Sequence, residues 1–241
     1  MYNSCMADFS AMFQALQGAS DSVRAEGQKR FFKTGPGQYG EGDKFLGVTV
    51  PQTRALAKRF AAQAEPADVE RLLKSPWHEA RLLGVLILVE QFEKAPDESA
   101  RKRIFDFYTA HLACCNNWDL IDLSCYKIIG AYLYNKKDRS LLRRLACSSD
   151  LWQQRAAVVS TMYMVKRGDF GLTLELAEKF CTHPHDLMHK ACGWLLREVG
   201  KKDKAVLCAF LDRHAAHMPR TMLRYSVERL SLAHKKKYMG K

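Results

Sequence analysis

The stretch SPWHEAR at residues 75–81 is echoed by SDLWQQR at residues 149–155. Each stretch passes from a turn into helix-forming residues and ends on an arginine, as if one structural unit occurred twice. Strand-type alternation of apolar and polar residues is nearly absent from the chain, whereas apolar residues at helical spacing recur throughout. The two stretches therefore indicate a protein built from repeated helical units.

A charged residue recurs near the start of the second helix of each predicted helix pair. These residues are Arg81, Asp122, Arg155, Lys190 and Arg224, at intervals of 41, 33, 35 and 34 residues. A period in this range is typical of an α-solenoid, in which each helix pair buries its apolar face against its neighbours. We therefore predict an all-α fold, an α-solenoid of antiparallel helix pairs, with residues 1–241 as a single domain.

The second helices of such a stack line its concave face. Four of the five recurring charges are basic, which predicts a basic concave groove. Asp122 is the exception. Because an acid in a basic groove is unfavourable for phosphate binding, this carboxylate invites a catalytic explanation.

Helices are predicted along most of the chain, joined by short connectors. Their ranges are 51–63, 66–73, 78–91, 96–111, 118–133, 139–146, 151–166, 170–180, 186–200, 204–214 and 220–230. The helix at 78–91 is apolar on nearly every face and is predicted to be buried. Residues 33–43 include four glycines and a proline, which predicts a loop.

Composition narrows the class of partner. The 241 residues include 38 Lys and Arg against 26 Asp and Glu, a net charge of +12, which points to a polyanion such as nucleic acid. The longest apolar stretch, residues 82–89, is too short to span a membrane. The first eight residues lack the pattern of a secretory signal. The eight cysteines form no CxxC pair, which favours a reduced, cytoplasmic compartment.

Three segments concentrate residues able to do chemistry. They are NNWDLID at 116–122, LWQQRAA at 151–157 and HKACGWLLRE at 189–198. In the first, Trp118 and Asp122 stand four residues apart, so they share one helix face. In the third, Lys190 and Trp194 share a face in the same way, and Gly193 permits a close approach beside the indole.

Each of these residues also has a structural interpretation. A tryptophan in a helical protein usually lies in the hydrophobic core, and Asp122 can stabilise the first turn of its helix. Arg155 can be solvated or ion-paired, and Gly193 can be a packing glycine. Spacing alone leaves both interpretations open.

Taken in order, the segments resemble the AlkD family of DNA alkylation-repair glycosylases, which are built from HEAT-like repeats. The resemblance runs through most of the chain and includes FLGVTVP at 45–51. It implies that Asp122 is the catalytic aspartate and that Trp118 and Trp194 are the active-site tryptophans. It also implies that Arg155 is the arginine of the catalytic cleft.

The resemblance further implies contacts to DNA outside the catalytic set. Besides Arg155, the residues expected to make them are Arg54, Lys190, Arg197 and Phe31. Phe31 stands where the family has a tyrosine, so any hydroxyl contact is lost there. The glycine-rich insert at 35–43 is also longer than the corresponding turn in a known member.

These assignments imply a monofunctional DNA glycosylase that removes cationic N3- and N7-alkylpurines from double-stranded DNA. It would be a monomer without a metal or organic cofactor, nucleoid-associated through DNA in a bacterial-type cytoplasm. Two other functions stay open. One is a non-catalytic HEAT-repeat protein that binds bent or branched DNA, and the other is a protein-interaction scaffold.

Three smaller features have competing interpretations. A metal could be held by a cluster whose spacing matches no closed zinc motif; its members are Cys181, His183, His185, His189 and Cys192. Cys114 and Cys115 beside His111 favour packing over metal binding. The lysines at 235–237 indicate a solvated tail, with a non-specific DNA contact as the alternative.

Overall fold

The structure is a computed structural model that describes residues 8–240, a range that is helical and contains no β-strand. The α-helices are α1 (Phe9–Gly18), α2 (Ser22–Phe31), α3 (Val50–Phe60), α4 (Pro66–Leu73), α5 (His78–Glu93), α6 (Glu98–Ala110), α7 (Trp118–Cys125), α8 (Ala131–Tyr134), α9 (Ser140–Ala146), α10 (Leu151–Ser160), α11 (Met162–Val165), α12 (Gly171–Lys179), α13 (Asp186–Lys202), α14 (Lys204–His214), α15 (Arg220–Ser226) and α16 (Leu232–Met239). Short 3-10 turns cover Leu112–Cys114 and Phe180–Thr182, and a π-helical turn covers Tyr126–Gly130. The all-α prediction is confirmed, whereas the solenoid and its basic face stay predictions.

The chain divides into two compact units, Met1–Ser124 and Cys125–Lys241. The single domain expected over residues 1–241 stays a prediction. Within residues 8–240, no helix is both long enough and apolar enough to cross a bilayer.

Helix α5 is the centre of the first unit, and α3, α4 and α6 pack against it. Residues 78–89 and Phe92 are buried, so the helix is enclosed on every face, as its apolar pattern predicts. Residues 33–43 form turns without a helix, which confirms the predicted loop. A single parallel bridge from Lys44 to Trp77 ties the end of this loop to the start of α5.

Helix α13 is the centre of the second unit, where α10, α12, α14 and α15 pack against it. A Cβ on Gly193 would lie 2.6 Å from both the carbonyl oxygen of Met222 and the Cβ of Tyr225. Gly193 is therefore a packing glycine, and the close approach that it permits is that of α15.

The segment 45–51 is held by the buried carboxylate of Glu79. Its oxygens accept hydrogen bonds from the backbone nitrogens of Leu46 at 2.9 Å, Gly47 at 2.8 Å and Val48 at 3.2 Å. Gly47 has a φ of +84°, and a Cβ there would lie 1.9 Å from the carbonyl oxygen of Asp21. Only glycine fits this turn, which leads directly into α3.

The structure also departs from the predicted helices. Helices α1 and α2 precede the first predicted helix, and each begins at an aspartate cap, Asp8 and Asp21. The helix predicted at 118–133 is interrupted by the π-helical turn, and that at 151–166 is interrupted at Thr161. The lysines at 235–237 lie in α16, outside the predicted helices, and Lys236 and Lys237 are exposed there, in agreement with a solvated segment.

Candidate functional site

Trp118 and Asp122 lie on α7, which begins at Trp118. Their separation of four residues places both side chains on one face, one turn apart, as the sequence predicts. Both side chains are half-buried. The carboxylate is thus adjacent to the indole along the helix, in a partly desolvated environment that strengthens its electrostatic field.

The Trp118 indole packs on two aromatic rings at the end of α2. It stacks on Phe32 with ring centroids 5.3 Å apart and an interplanar angle of 17°. Phe31 meets the same indole edge-on, with centroids 5.9 Å apart. Phe31 is 65% exposed, whereas Phe32 is buried, so the first ring borders solvent and the second supports the indole from below. The structure therefore brings Phe31 and Trp118 together.

A buried ionic network lies beneath this aromatic cluster. The imidazole of His78 bridges two carboxylates, with Nδ1 3.0 Å from Oδ2 of Asp43 and Nε2 2.8 Å from Oδ2 of Asp119. The guanidinium of Arg81 donates to the other oxygen of Asp43. Sequence reasoning assigned neither the histidine nor the two aspartates to a site. It placed Arg81 among the charges that line the predicted groove, whereas Arg81 is buried and paired with Asp43. The sequence signal was three polar residues, His78, Glu79 and Arg81, at the start of a helix whose middle is apolar.

The network holds His78 in its charged form. Burial disfavours the imidazolium, but the charge and hydrogen bond of Asp119, aided by Asp43, outweigh it and raise the pKa of His78 to about 9. Burial acts to raise the pKa of Asp43, and the hydrogen bond from His78 and the charge of Arg81 outweigh it, so that the pKa is lowered. At neutral pH His78 is therefore an imidazolium that lies between the carboxylates of Asp43 and Asp119.

Arg155 lies on α10 in the second unit and is buried. Its Nη1 donates to the carbonyl oxygen of Leu187 at 2.5 Å, in the first turn of α13. The interpretation of Arg155 as a solvated residue is therefore wrong. The guanidinium instead joins α10 to the helix that carries Lys190 and Trp194.

The other predicted residues of the second unit lie along α13. Trp194 is half-buried, and Lys190 lies one turn before it on the same face. Lys190 pairs with Asp186 at 2.7 Å, and Arg197 pairs with Glu228. These two cations would have to exchange an intramolecular carboxylate for a DNA phosphate. Arg54, in the first unit, is exposed on α3.

The predicted constellation is thus distributed over both units. The first contains Trp118, Asp122 and Phe31, and the second contains Arg155 and Trp194. A site that joins the two sets stays a prediction.

The histidines near residue 185 are engaged in hydrogen bonds. Nε2 of His183 lies 2.8 Å from Oε1 of Gln154, and its Nδ1 accepts from the backbone of His185. His185 caps α13 through Nδ1, and Nε2 of His189 lies 2.5 Å from the carbonyl oxygen of His183. Between residues 8 and 240 no three His, Cys, Asp or Glu side chains are grouped so as to hold a metal.

The vicinal cysteines are not poised for reaction. Burial raises the pKa of Cys115 to about 12, and it also raises the pKa of Cys114. The nearby His111 instead contacts Phe107 and Glu70. This arrangement fits the packing interpretation of the pair.

Comparison with known proteins identifies the family to which this chain belongs. The model of the family described as DNA alkylation repair enzyme matches residues 12–230. The chain belongs to the DNA alkylation repair enzyme family. A solved structure, described as a predicted DNA alkylation repair enzyme from Enterococcus faecalis, is similar to this chain with a TM-score of 0.67 and 14% sequence identity. The match covers 88% of this chain and 97% of that one. A search of curated proteins found no match.

Proposed function

We propose that the protein is a monofunctional DNA glycosylase that hydrolyses the N-glycosidic bond of N3- and N7-alkylated purines in duplex DNA. It acts as a monomer without a metal or organic cofactor and leaves an abasic site. Family membership supports DNA repair as the process. The observation that carries the glycosylase itself is the half-buried Trp118 and Asp122 pair on one face of α7.

The proposed chemistry needs few groups. Alkylation at N3 or N7 makes the purine cationic, so that the base leaves without protonation by a general acid. The deoxyribose then develops oxocarbenium character, as in other glycoside cleavages. The carboxylate of Asp122 stabilises this charge and orients the attacking water.

The tryptophans complement the carboxylate. The faces of Trp118 and Trp194 carry negative quadrupoles that favour the cationic sugar. Because the reaction is directed at the sugar, the damaged base stays largely stacked instead of entering a deep pocket. Phe31 is exposed and lies edge-on to Trp118, so its ring contacts the DNA beside this indole.

Phosphate contacts complete the proposed site. Arg155 binds the backbone beside the lesion through its planar guanidinium, which must first turn from its buried contact with the carbonyl oxygen of Leu187. Arg54, Lys190 and Arg197 set the register of the duplex on the protein without reading its sequence. The net charge of +12 supports such a polyanionic partner.

The direct test is chromatographic detection of free base after incubation with methylated duplex DNA. We expect release of 7-methylguanine and 3-methyladenine and an accumulation of alkali-labile abasic sites. Tight, salt-sensitive binding to DNA with no released base would instead support the alternative, a non-catalytic helical-repeat protein that recognises bent or branched DNA. Weak DNA binding even at low salt would favour the protein-interaction scaffold.

A further inference from the structure

The backbone of α7 is fixed at its first residue by Asn117, whose side chain is fully buried. Oδ1 of Asn117 accepts a hydrogen bond from the backbone nitrogen of Trp118 at 2.8 Å, and its Nδ2 donates to Oδ2 of Asp43 at 3.3 Å. The same carboxylate oxygen faces His78. The start of the helix is thus connected to the end of the glycine-rich loop through two side chains.

We propose that His78, Asp43 and Asp119 are positioning residues that orient Trp118 and the first turn of α7. The proposal rests on the proposed glycosylase function, because it assigns these residues to the placement of Trp118 beside Asp122. None of the three needs to touch the substrate.

Two independent routes lead from His78 to the indole. The polar route runs through Asp119, which directly follows Trp118 and whose Oδ1 also accepts from the backbone nitrogen of Leu120 at 2.9 Å. The aromatic route runs through Phe32, whose ring centroid lies 4.8 Å from that of His78 and 5.3 Å from that of Trp118. The imidazole therefore supports both the backbone and the ring of the same residue.

The charges of the network favour orientation over stability as its role. Replacing buried ion pairs by apolar side chains of similar volume is often neutral or stabilising, because desolvation offsets the attraction between the charges. Hydrogen bonds are directional, however, so they restrict their partners to one relative orientation. His78 and Asp119 are both buried, and each makes two directional contacts. An apolar core of equal size would lack these directional contacts and would restrict the rotamer of Trp118 less.

The test compares two isosteric amide substitutions in the first unit. In Asp119→Asn, one acceptor becomes an NH₂ group, which either opposes the N–H of Leu120 or faces Nε2 of His78, where the imidazole accepts only after losing the proton on that nitrogen. Glu79→Gln is the matched control, since Glu79 is equally buried and also accepts from several donors, but its partners lie in the 46–48 backbone. Both variants thus alter one buried polar contact without a change in volume.

Three measurements are made on both variants. They are the single-turnover rate of 7-methylguanine release, the affinity for the same duplex, and the ¹⁹F spectrum of protein labelled with 5-fluorotryptophan, with the Trp118 signal assigned through Trp118→Phe. We expect Asp119→Asn to slow base release about tenfold, with affinity within about twofold, and to move or broaden the Trp118 signal. We expect Glu79→Gln to leave the rate and that signal unchanged.

Equal losses of rate in the two variants would overturn the proposal, as would an unmoved Trp118 signal in Asp119→Asn. If wild type releases no base while the signal moves only in Asp119→Asn, the glycosylase function fails and the positioning of the indole stands. If Asp119→Asn does not fold, Phe32→Leu breaks the aromatic route without uncovering a buried charge. A wild-type rate in that variant would likewise overturn the proposal.

Discussion

Nε2 of His78 lies 2.8 Å from Oδ2 of Asp119, the residue that directly follows Trp118 at the start of α7. The contact joins α5, the central helix of the first unit, to the helix that carries the proposed catalytic carboxylate. Because Asp43 faces the other ring nitrogen, the imidazole is charged at neutral pH. The first unit therefore contains a buried, charged histidine, and its pKa and its contribution to stability can be measured without an activity assay.

The titration of His78 gives the first prediction. Its pKa rises from the ordinary value of 6.5 to about 9 in the folded protein. Between these values the folded state binds more protons than the unfolded state, so the free energy of unfolding falls as pH increases. The contribution is fully present below about pH 6.5 and is lost as pH rises through about 9.

NMR titration of the imidazole signals, with His78→Gln to assign the resonance, measures this pKa directly. We expect a midpoint near 9 for His78, and a fall in melting temperature between pH 7 and 9.5 that is smaller in His78→Gln. Asp43 and Asp119 are the charged groups that contact the ring, and Arg81 pairs with the other oxygen of Asp43. A midpoint near 6.5 would show that the two carboxylates do not hold the proton.

The second prediction concerns Arg155. Arg155→Ala is expected to weaken DNA binding and turnover, and to reduce the slope of log K against log salt by about 0.9 per lost phosphate contact. Arg143→Ala is the control, because Arg143 is an exposed arginine of the same unit that pairs with Glu175. An unchanged slope in Arg155→Ala would place the guanidinium away from the DNA backbone.

The third prediction separates two helical glycines. Gly193→Ala is expected to lower the free energy of unfolding by about 1–3 kcal/mol, since the new methyl would overlap the backbone of Met222. Gly27→Ala, where a Cβ meets no atom within 4 Å, is expected to raise it by about 0.5–1 kcal/mol through better helix propensity. Urea denaturation of both variants checks the pair. Equal stabilities would contradict the close packing of α13 on α15.

The fourth prediction concerns metal. His183, His185 and His189 all use ring nitrogens in hydrogen bonds, so we expect a chelator to leave base release and melting temperature unchanged. Inhibition by the chelator that zinc reverses would contradict this expectation and would direct attention to the cluster at the start of α13.

Much of the fold follows from local pattern. The apolar residues on nearly every face of α5 predict its burial, and the glycines of residues 33–43 predict a loop. Helix α2 was missed because only Ala25 on it is buried, which leaves no apolar period to detect. Its cap, Asp21, was the available signal.

The site could be predicted only in part, for a physical reason. Trp118 and Asp122 are four residues apart, so helix geometry alone relates them. The partners of His78 are 35 and 41 residues away along the chain, and only tertiary packing brings them together. Arg155 could be predicted as a residue of interest, but its burial depends on the approach of α13 to α10.

The central claim is that Asp122 carries the chemistry. Single-turnover release of 7-methylguanine from a duplex with one lesion, measured beside the affinity for that duplex, tests it most directly. Asp106→Asn, which alters an exposed carboxylate of the same unit, is the control. We predict that Asp122→Asn reduces the rate at least about 100-fold while affinity is kept and the control stays at the wild-type rate. A rate for Asp122→Asn within a few-fold of wild type would contradict the account.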